Sequence, residues 1–280
     1  MSFTLTHNAY GKSRVLLTKV TRVADQHDLK EVSVNIQLEG DFADAYTHGD
    51  NANVIPTDTM KNTVYALSKN HHLSDLESFG HTLVRHFMGS SHVRKVMIHL
   101  EQQNWQRIVV QGNQLPHAFV GGTSEKRICT VTGDRERIRI VPGVEGLILL
   151  KTTDSAFRGF LRDSFTTLME TDERILATKL DACWEYGATT VDWNRCFDVI
   201  WRTLVEVFAN HKSLGVQHTL HAMGAAALEA CAELQEISLT MLNQHRLPVD
   251  LRPFGLENPN EIFVPTEEPF GKISGTLRRS

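Results

Sequence analysis

The first forty residues contain two runs in which apolar and polar side chains alternate. In the second run, over residues 31–40, apolar side chains take every other position: Val32, Val34, Ile36 and Leu38. Strict alternation is typical of a strand that buries one face. The first run covers residues 13–23, and a polar stretch at 25–28 separates the two. The pattern therefore predicts a β-hairpin at the start of the chain.

Two helices are predicted next, after a connection that ends at Pro56. Residues 58–69 carry apolar side chains at helical spacing: Met60, Val64 and Leu67. The segment 74–77 has the sequence of a capping box, with Ser74 three positions before Glu77. It opens a second helix, whose predicted apolar face consists of Leu76, Phe79, Leu83 and Phe87.

Strands at 94–102 and 105–110 complete the first half of the chain, which has the order strand, strand, helix, helix, strand, strand. Short extended segments follow between Pro116 and Val141. Residues 147–150 then form a continuous apolar run. Such a run is typical of a strand buried on both faces.

A second half repeats this pattern. Its predicted elements are a strand at 175–186, a helix capped by Asp192, a helix over 216–234, and strands at 236–246 and 272–277. Antiparallel strands with paired helices on one face are an α+β pattern. The sequence therefore predicts a tandem α+β protein with halves at residues 1–140 and 141–280.

Composition narrows the classes of partner. The 280 residues are 41% hydrophobic and 22% charged, enough for a sizeable core. A net charge of -4 leaves no basic field for nucleic acid. No apolar run approaches the roughly 18 residues of a membrane span. The chain ends in Arg278-Arg279-Ser280 and not in the peroxisomal address Ser-Lys-Leu. A cytoplasmic protein without nucleic-acid or membrane partners is expected.

The four cysteines, Cys129, Cys183, Cys196 and Cys231, lie far apart in the sequence. They lack the short paired spacing of a zinc knuckle and the density of a disulfide framework. We therefore predict that all four are reduced and buried.

Thr57 and Asp58 mark the start of the first predicted helix, and two interpretations apply to them. Small hydroxyl and carboxylate side chains at a helix start usually accept hydrogen bonds from its free N–H groups. Alternatively, the helix start is itself an anion site, because free N–H donors and the helix dipole favour a negative ligand. A threonine hydroxyl there can pass a proton to a nearby base.

Other polar and aromatic residues suit a flat ligand when taken together. Phe157 alone suggests a core aromatic, and Arg174 alone suggests a surface charge. As a pair they suit a flat heterocyclic anion. The Phe157 ring can stack on its plane, and the planar Arg174 guanidinium can donate two parallel hydrogen bonds to its edge. Gln217, near a predicted helix start, is either an ordinary first-turn glutamine or an amide for another ligand edge. Asn243 and His245 are two positions apart in a predicted strand, so their side chains share one face and can reach the same small ligand.

Five separated blocks resemble the urate oxidase, or uricase, family in identity and order. They are Tyr10-Gly11-Lys12, residues 57–63, Phe157–Asp163 with Arg174, Val216-Gln217, and Asn243-Gln244-His245. The resemblance covers nearly the whole chain. It implies the tunnelling fold, with two halves per chain and sheets that close into a barrel between chains. It also implies a homotetramer with active sites at subunit interfaces.

The resemblance further implies a cofactor-free oxidase of purine degradation, which converts urate, O2 and water to 5-hydroxyisourate and hydrogen peroxide. The implied catalytic residues are Lys12 as the base, Thr57 and His245. The implied substrate-binding residues are Thr57, Asp58, Phe157, Arg174, Val216, Gln217 and Asn243. In this scheme Arg174 and Gln217 clamp urate over Phe157, and Asn243 with Thr57 brackets the oxygen molecule.

Several alternatives stay open at this point. Three histidines lie close in sequence: His211, His218 and His221. The last two share a helical face, so a metal site is one possible interpretation of them. Pterin-forming enzymes of the same fold class use zinc but carry tighter His or Cys patterns, so no metal is expected. No Gly-rich phosphate loop or dinucleotide fingerprint supports flavin or nicotinamide. A pterin or purine hydrolase or synthase, and a non-catalytic purine-binding protein, are the other candidate functions.

Overall fold

The computed structural model describes residues 3–188, 190–266 and 268–280. The chain divides into two compact units, one ending at Gly143 and the other beginning at Val144. Each unit combines antiparallel strands with helices, so the α+β class predicted from the sequence is confirmed.

The first unit contains, in chain order, β1 (Tyr10–Val23), β2 (Gln26–Gly40), α1 (Ala43–Thr47), α2 (Thr57–Asn70), α3 (Leu76–Met88), β3 (Val93–Gln103), β4 (Trp105–Val110), β5 (Asn113–Gly121) and β6 (Lys126–Gly133). The strands β1, β2, β3 and β6 pair in that order, each antiparallel to its neighbour. Helix α2 lies against β1, and α3 lies against β3 and β6. A further strand, β7 (Ile138–Lys151), spans the division between the units.

The predicted N-terminal hairpin is confirmed, with a tighter turn than the sequence suggested. Val23 pairs with Gln26, so only Ala24 and Asp25 form the turn. Ala24 has a φ of 48°, in the left-handed region that tight turns use. The four alternating apolar side chains of β2 are all buried. They form part of the first unit's core, beneath α2 and α3.

The start of α3 differs from the predicted capping box. The cap is Asp75, whose carboxylate accepts a hydrogen bond from the Ser78 N–H at 2.7 Å. Ser74 instead donates its hydroxyl to Asp75. Glu77 is buried, and both its carboxylate oxygens accept from the Arg127 guanidinium, at 3.0 and 2.9 Å. A partner from a distant strand has therefore replaced the local one.

The predicted strand at 105–110 forms, but it does not join the main sheet. It pairs with β5 as a separate two-stranded hairpin, and β6 provides the fourth strand of the sheet. The exposure of side chains explains this choice. Cys129 and Val131 of β6 are fully buried in the core, whereas Val109 and Val110 of β4 are exposed.

The second unit contains, after β7, β8 (Leu176–Tyr186), α4 (Trp193–Asn210), α5 (Val216–Ala230), β9 (Leu234–Asn243), β10 (Arg246–Pro248), a short 3-10 helix (Arg252–Phe254), β11 (Phe263–Pro265) and β12 (Gly271–Arg278). Strand β9 pairs antiparallel with β8 on one side and with β12 on the other. Helix α5 covers β9 and β12, and α4 packs against α5. Asp192 caps α4 as predicted, accepting from the Arg195 N–H at 3.1 Å.

Among the described helices, none is long and apolar enough to cross a membrane.

Two burial predictions are wrong. Leu147 is 5% exposed, but Ile148 and Leu150 are 53% and 48% exposed, so this part of β7 buries one face only. Cys183 is partly exposed, whereas the other three cysteines are buried and all four are free thiols.

Candidate active site

In the first unit, local contacts bring the strand of Lys12 to the connection before α2. Lys12 pairs with Ile36 of β2, directly before a register shift in β1. A Cβ atom at Gly11 would lie 1.8 Å from the Ile36 carbonyl oxygen, so only glycine allows the two strands to approach so closely here. The Tyr10 hydroxyl accepts a hydrogen bond from the Ile55 N–H at 2.8 Å. These contacts hold the start of β1 beside the connection that ends at Pro56.

Thr57 is the first residue of α2, and neither it nor Asp58 caps the helix. The N-cap position is Pro56, and no side-chain hydrogen bond caps the helix there. The first N–H groups of a helix have no acceptor within the helix. The capping interpretation of Thr57 and Asp58 is therefore wrong, and the start of α2 has no side-chain cap.

The Asp58 carboxylate is directed along the helix surface. It accepts from Lys61 Nζ at 2.5 Å and from Asn62 Nδ2 at 2.9 Å. The hydrogen bond and the charge of Lys61 lower the pKa of the Asp58 carboxyl, and Lys12 adds a smaller electrostatic contribution. Asp58 thus stays ionised, and its carboxylate is engaged by Lys61 and Asn62.

In the second unit, the Arg174 guanidinium lies over the ring of Phe157, with Cζ 5.1 Å from the ring centroid. The backbone N–H of Arg174 donates to the Ser155 carbonyl at 2.9 Å, and Nε approaches the Ser155 hydroxyl at 3.4 Å. Phe157 exchanges backbone hydrogen bonds with Thr171, at 2.8 and 3.1 Å. Burial lowers the pKa of Arg174. A desolvated guanidinium binds an anion more strongly than a hydrated one.

The start of α5 lies next to this pair. The Ala156 N–H donates to the Ser213 carbonyl at 2.8 Å, which aligns the two segments. A Cβ atom at Gly215 would lie 3.7 Å from both the Gln217 Oε1 atom and the Phe157 ring. The side chains of Phe157 and Gln217 therefore converge on one point. Gly215 is the N-cap of α5 and provides no side-chain acceptor.

Val216 and Gln217, the first two residues of α5, differ in exposure. The Val216 side chain is buried, so Val216 presents mainly its backbone at the start of the helix. Gln217 is exposed. The two helix starts, of α2 and of α5, thus share one property. Neither has a side-chain cap, and each presents its first N–H groups and the positive end of its dipole.

Asn243 and His245 lie at the far end of the buried stripe of β9. Asn243 is the last residue of this strand and pairs with Thr178 and Gly271. The predicted strand extended to 246, but β9 ends at Asn243, so strand alternation does not position His245. Its carbonyl accepts from the Thr266 N–H at 3.0 Å. Both side chains are partly exposed.

Two residues near the site were missed by the sequence analysis. Ser155 is fully buried and supports Arg174. Phe160 stacks on Phe157, with centroids 5.0 Å apart and planes inclined by 13°. Phe160 belongs to a block already singled out, so its spacing from Phe157 was the available signal. Ser155 carried none, because its contact with Arg174 depends on the folded path of the chain.

The three histidines considered for a metal site are only partly brought together. His211 Nε2 lies 3.2 Å from His218 Nδ1, and burial followed by the neighbouring His218 lowers the pKa of His211. His221 does not join them: within residues 3–188, 190–266 and 268–280, these histidines form no group of three ligand atoms close enough for one ion.

The fold and these groups define an α+β protein with backbone donors, a partly buried cation and an aromatic ring, which together suit a flat anionic ligand. A family model described as Uricase matches residues 8–132 and 140–274. The chain is 41% identical over 276 residues to the uricase of Arthrobacter globiformis, covering 98% of this chain and 90% of that protein. It is 34% identical over 278 residues to the uricase of Oryctolagus cuniculus, covering 96% and 93%. The chain belongs to the uricase family.

Solved structures agree with this assignment. The crystal structure of the Arthrobacter globiformis uricase superposes with a TM-score of 0.93 at 40% identity, covering all of this chain and 96% of that one. The urate oxidase of Bacillus sp. TB-90 gives a TM-score of 0.82 at 24% identity, covering 97% of this chain and 100% of that one. The second likeness shows the fold alone. Both support the α+β architecture described above.

Proposed function

We propose that this chain is a urate oxidase that converts urate, O2 and water to 5-hydroxyisourate and hydrogen peroxide. Family membership supports the reaction. The observation that carries the site is the partly buried Arg174 guanidinium over Phe157, beside the uncapped start of α5. This arrangement offers a cation, a ring and backbone donors within one small region.

The second unit would bind the purine. Phe157 stacks on the plane of urate, and the Arg174 fork holds one edge of the anion. The Gln217 amide donates and accepts on another edge, and the Val216 N–H at the helix start donates to a ring nitrogen or oxygen. Because Phe160 stacks on one face of Phe157, urate would either displace Phe160 or stack on the opposite face.

The proton network would consist of Lys12, Thr57 and His245. In this proposal Lys12 takes a proton through the Thr57 hydroxyl, and His245 completes the path. The Asp58 N–H, at the uncapped start of α2, donates to the substrate. Removal of a proton leaves an electron-rich urate dianion, which O2 oxidises directly.

The reaction balances without a further reagent. Urate gives two electrons to O2, which takes up two protons and leaves as hydrogen peroxide. Water then adds to the oxidised ring and supplies the hydroxyl oxygen of 5-hydroxyisourate. Asn243 and Thr57 would hold O2 and later the water above the ring, so the same place serves both steps. No flavin, nicotinamide or metal takes part in this scheme.

The site would be shared between subunits of a homotetramer. Lys12, Thr57 and Asp58 belong to the first unit, and the other proposed residues belong to the second. We propose that residues 1–140 and 141–280 are tunnelling-fold halves whose sheets close into a barrel on oligomerisation. The exposed apolar side chains Ile148 and Leu150 support association, because a sheet face with such residues gains by being covered.

A direct assay tests the proposed function. Purified protein is mixed with urate in air, and the ultraviolet absorbance of urate and the hydrogen peroxide formed are followed together. Equal loss of urate and gain of peroxide supports the oxidase. Urate that binds without being consumed would indicate a purine-binding protein. Turnover of a pterin or purine by hydrolysis, with no O2 consumed, would indicate the hydrolase alternative.

A further inference from the structure

Two buried cysteines and a glutamate meet in the second unit, away from the residues discussed so far. Cys196 is in the first turn of α4, and Cys231 is the C-cap residue of α5. Glu233 follows shortly after. One ligand atom from each of these three residues lies within 4.8 Å of the other two. The proposed oxidase reaction uses none of them.

The three residues differ in their access to solvent. Both thiols are 0% exposed, whereas the Glu233 side chain is 24% exposed. Cys231 Sγ donates to Glu233 Oε2 at 3.5 Å. Burial raises the pKa of Cys196 to about 12 and also raises the pKa of Cys231. Burial thus favours the protonated form of both thiols, even with the Arg195 guanidinium beside Cys196.

Arg195 lies across the solvent side of this cluster. Its Nη2 atom contacts Cys196 Sγ at 3.4 Å and also forms an ion pair with Glu233. The Arg195 side chain is 49% exposed, so it can move into solvent without opening the core. The cluster thus already places a positive charge beside one carboxylate and two sulfurs. A metal ion reaching the sulfurs would replace that charge.

The distances suit a tetrahedral zinc ion. Zinc binds thiolate sulfur at about 2.3 Å and carboxylate oxygen at about 2.0–2.2 Å, so its ligand atoms lie under about 4 Å from each other. Small side-chain rotations therefore suffice to bring the three atoms into place. Two thiolates and one carboxylate leave a fourth position for water, on the side that Arg195 covers. Thiolate ligands favour zinc over magnesium or calcium.

We propose that Cys196, Cys231 and Glu233 form a zinc-binding site that joins the start of α4 to the end of α5. On binding, each thiol loses its proton to solvent, and the two thiolates and the carboxylate replace water molecules on the ion. The charge of the ion offsets the cost of ionising buried thiols. The site has no part in urate oxidation, and its role is to stabilise the packing of the two helices.

Metal titration of the intact protein tests this site. The protein is treated with chelator, kept reduced with a phosphine, and titrated with Co2+, whose thiolate charge-transfer and ligand-field absorption report sulfur ligands and tetrahedral geometry. One Co2+ per chain, displaced by Zn2+, is expected. Cys196→Ser and Cys231→Ser should each weaken binding by more than about 100-fold, since loss of a mere supporting contact costs about 10–100-fold. Cys183→Ser, which removes a thiol elsewhere in the same unit, should bind normally.

Two surface variants keep the test decisive if the buried cysteine variants fold poorly. Arg195→Ala should bind Co2+ about tenfold more tightly, because the competing cation is removed. Glu233→Gln, which removes a direct ligand, should weaken binding by more than the roughly 10–100-fold that loss of a supporting contact costs. Circular dichroism of each variant confirms folding. Co2+ bound without charge-transfer absorption, or bound equally by wild type, Cys231→Ser and Glu233→Gln, would overturn the proposal.

Discussion

The Tyr10 hydroxyl accepts a hydrogen bond from the Ile55 N–H at 2.8 Å and so connects the strand of Lys12 with the start of α2 at Thr57. The Tyr10 ring is also fixed, edge-on to Phe42 with centroids 4.8 Å apart. Lys12 and Thr57, which are proposed to exchange a proton, thus depend on Tyr10 to hold their two backbone segments together.

Tyr10→Phe should impair turnover more than stability. The variant keeps the ring contact with Phe42 but leaves the Ile55 N–H without its acceptor, which costs about 1 kcal/mol of folding free energy. The misplaced start of α2 should lower kcat in the urate assay. The control is Tyr46→Phe, which removes an exposed hydroxyl that donates to the Ala9 carbonyl at 3.0 Å. If both variants lose equal activity, Tyr10 has no special positioning role.

Lys12→Ala and Thr57→Ala should each lower kcat by about 10²- to 10⁴-fold, the range for loss of general acid–base catalysis. The double variant should fall little further, because residues in one proton network lose their function together. Single-turnover rates with urate would measure this. Losses that multiply in the double variant would mean that the two side chains act separately.

Mixed oligomers should recover activity if the site is shared between chains. Lys12→Ala and Arg174→Ala proteins should each be inactive alone. When the two are co-expressed with different tags, some interfaces should pair an intact Lys12 with an intact Arg174 from the neighbour. The doubly tagged oligomer should then oxidise urate at a sizeable fraction of the wild-type rate.

The control for this experiment is each parent carried through the same two-tag purification. A doubly tagged oligomer as inactive as either parent would show that one chain contains the whole site.

Chelation should leave urate turnover unchanged. The proposed reaction passes electrons directly from urate to O2, so removal of metal ions, including any ion at Cys196 and Cys231, should not lower kcat. The measurement is peroxide formation before and after exhaustive dialysis against chelator. Activity that is lost in this way and restored by zinc would refute cofactor-free oxidation.

Stability should fall in mild acid through His71. Its Nδ1 atom accepts from the Leu73 N–H at 3.0 Å, and burial is the main cause that lowers the pKa of His71 below its usual 6.5. A lowered pKa means that the folded state favours neutral imidazole. The stability it provides is therefore present above about pH 6.5 and is lost as the pH falls through the folded-state pKa.

His71→Gln should flatten this dependence in urea denaturation between pH 7 and pH 5. His72→Gln, which changes the exposed neighbour in the same connection, should leave the wild-type slope in place. An unchanged slope in His71→Gln would assign the acid sensitivity to other groups.

Local sequence patterns predicted the individual helices and strands well, but they predicted the pairing of the strands less well. Alternation in β2 and the Asp192 cap are properties of short segments, and both predictions are confirmed. The strand predicted at 105–110, as the last strand of the first half, forms a separate hairpin with β5 instead, because strand pairing depends on which distant core a strand can cover. The same reason explains Glu77, whose partner Arg127 comes from a distant strand.

The candidate site shows the same limit. Phe157 and Arg174 were paired from their chemistry, and the structure places them 5.1 Å apart. The buried Ser155 beneath Arg174 and the meeting of Cys196 with Cys231 could not be predicted, since neither follows from spacing. The catalytic and binding roles themselves stay predictions until the variants above are measured.

The close approach at Gly11 limits how this enzyme can be engineered. A methyl group at that position would overlap the Ile36 carbonyl oxygen, so even alanine would push β1 away from β2 and shift Lys12 with it. Libraries that randomise residues around the proton network should therefore leave position 11 fixed. Gln217, a proposed substrate clamp, is a better position for variation, because its side chain is exposed and can change without moving a strand.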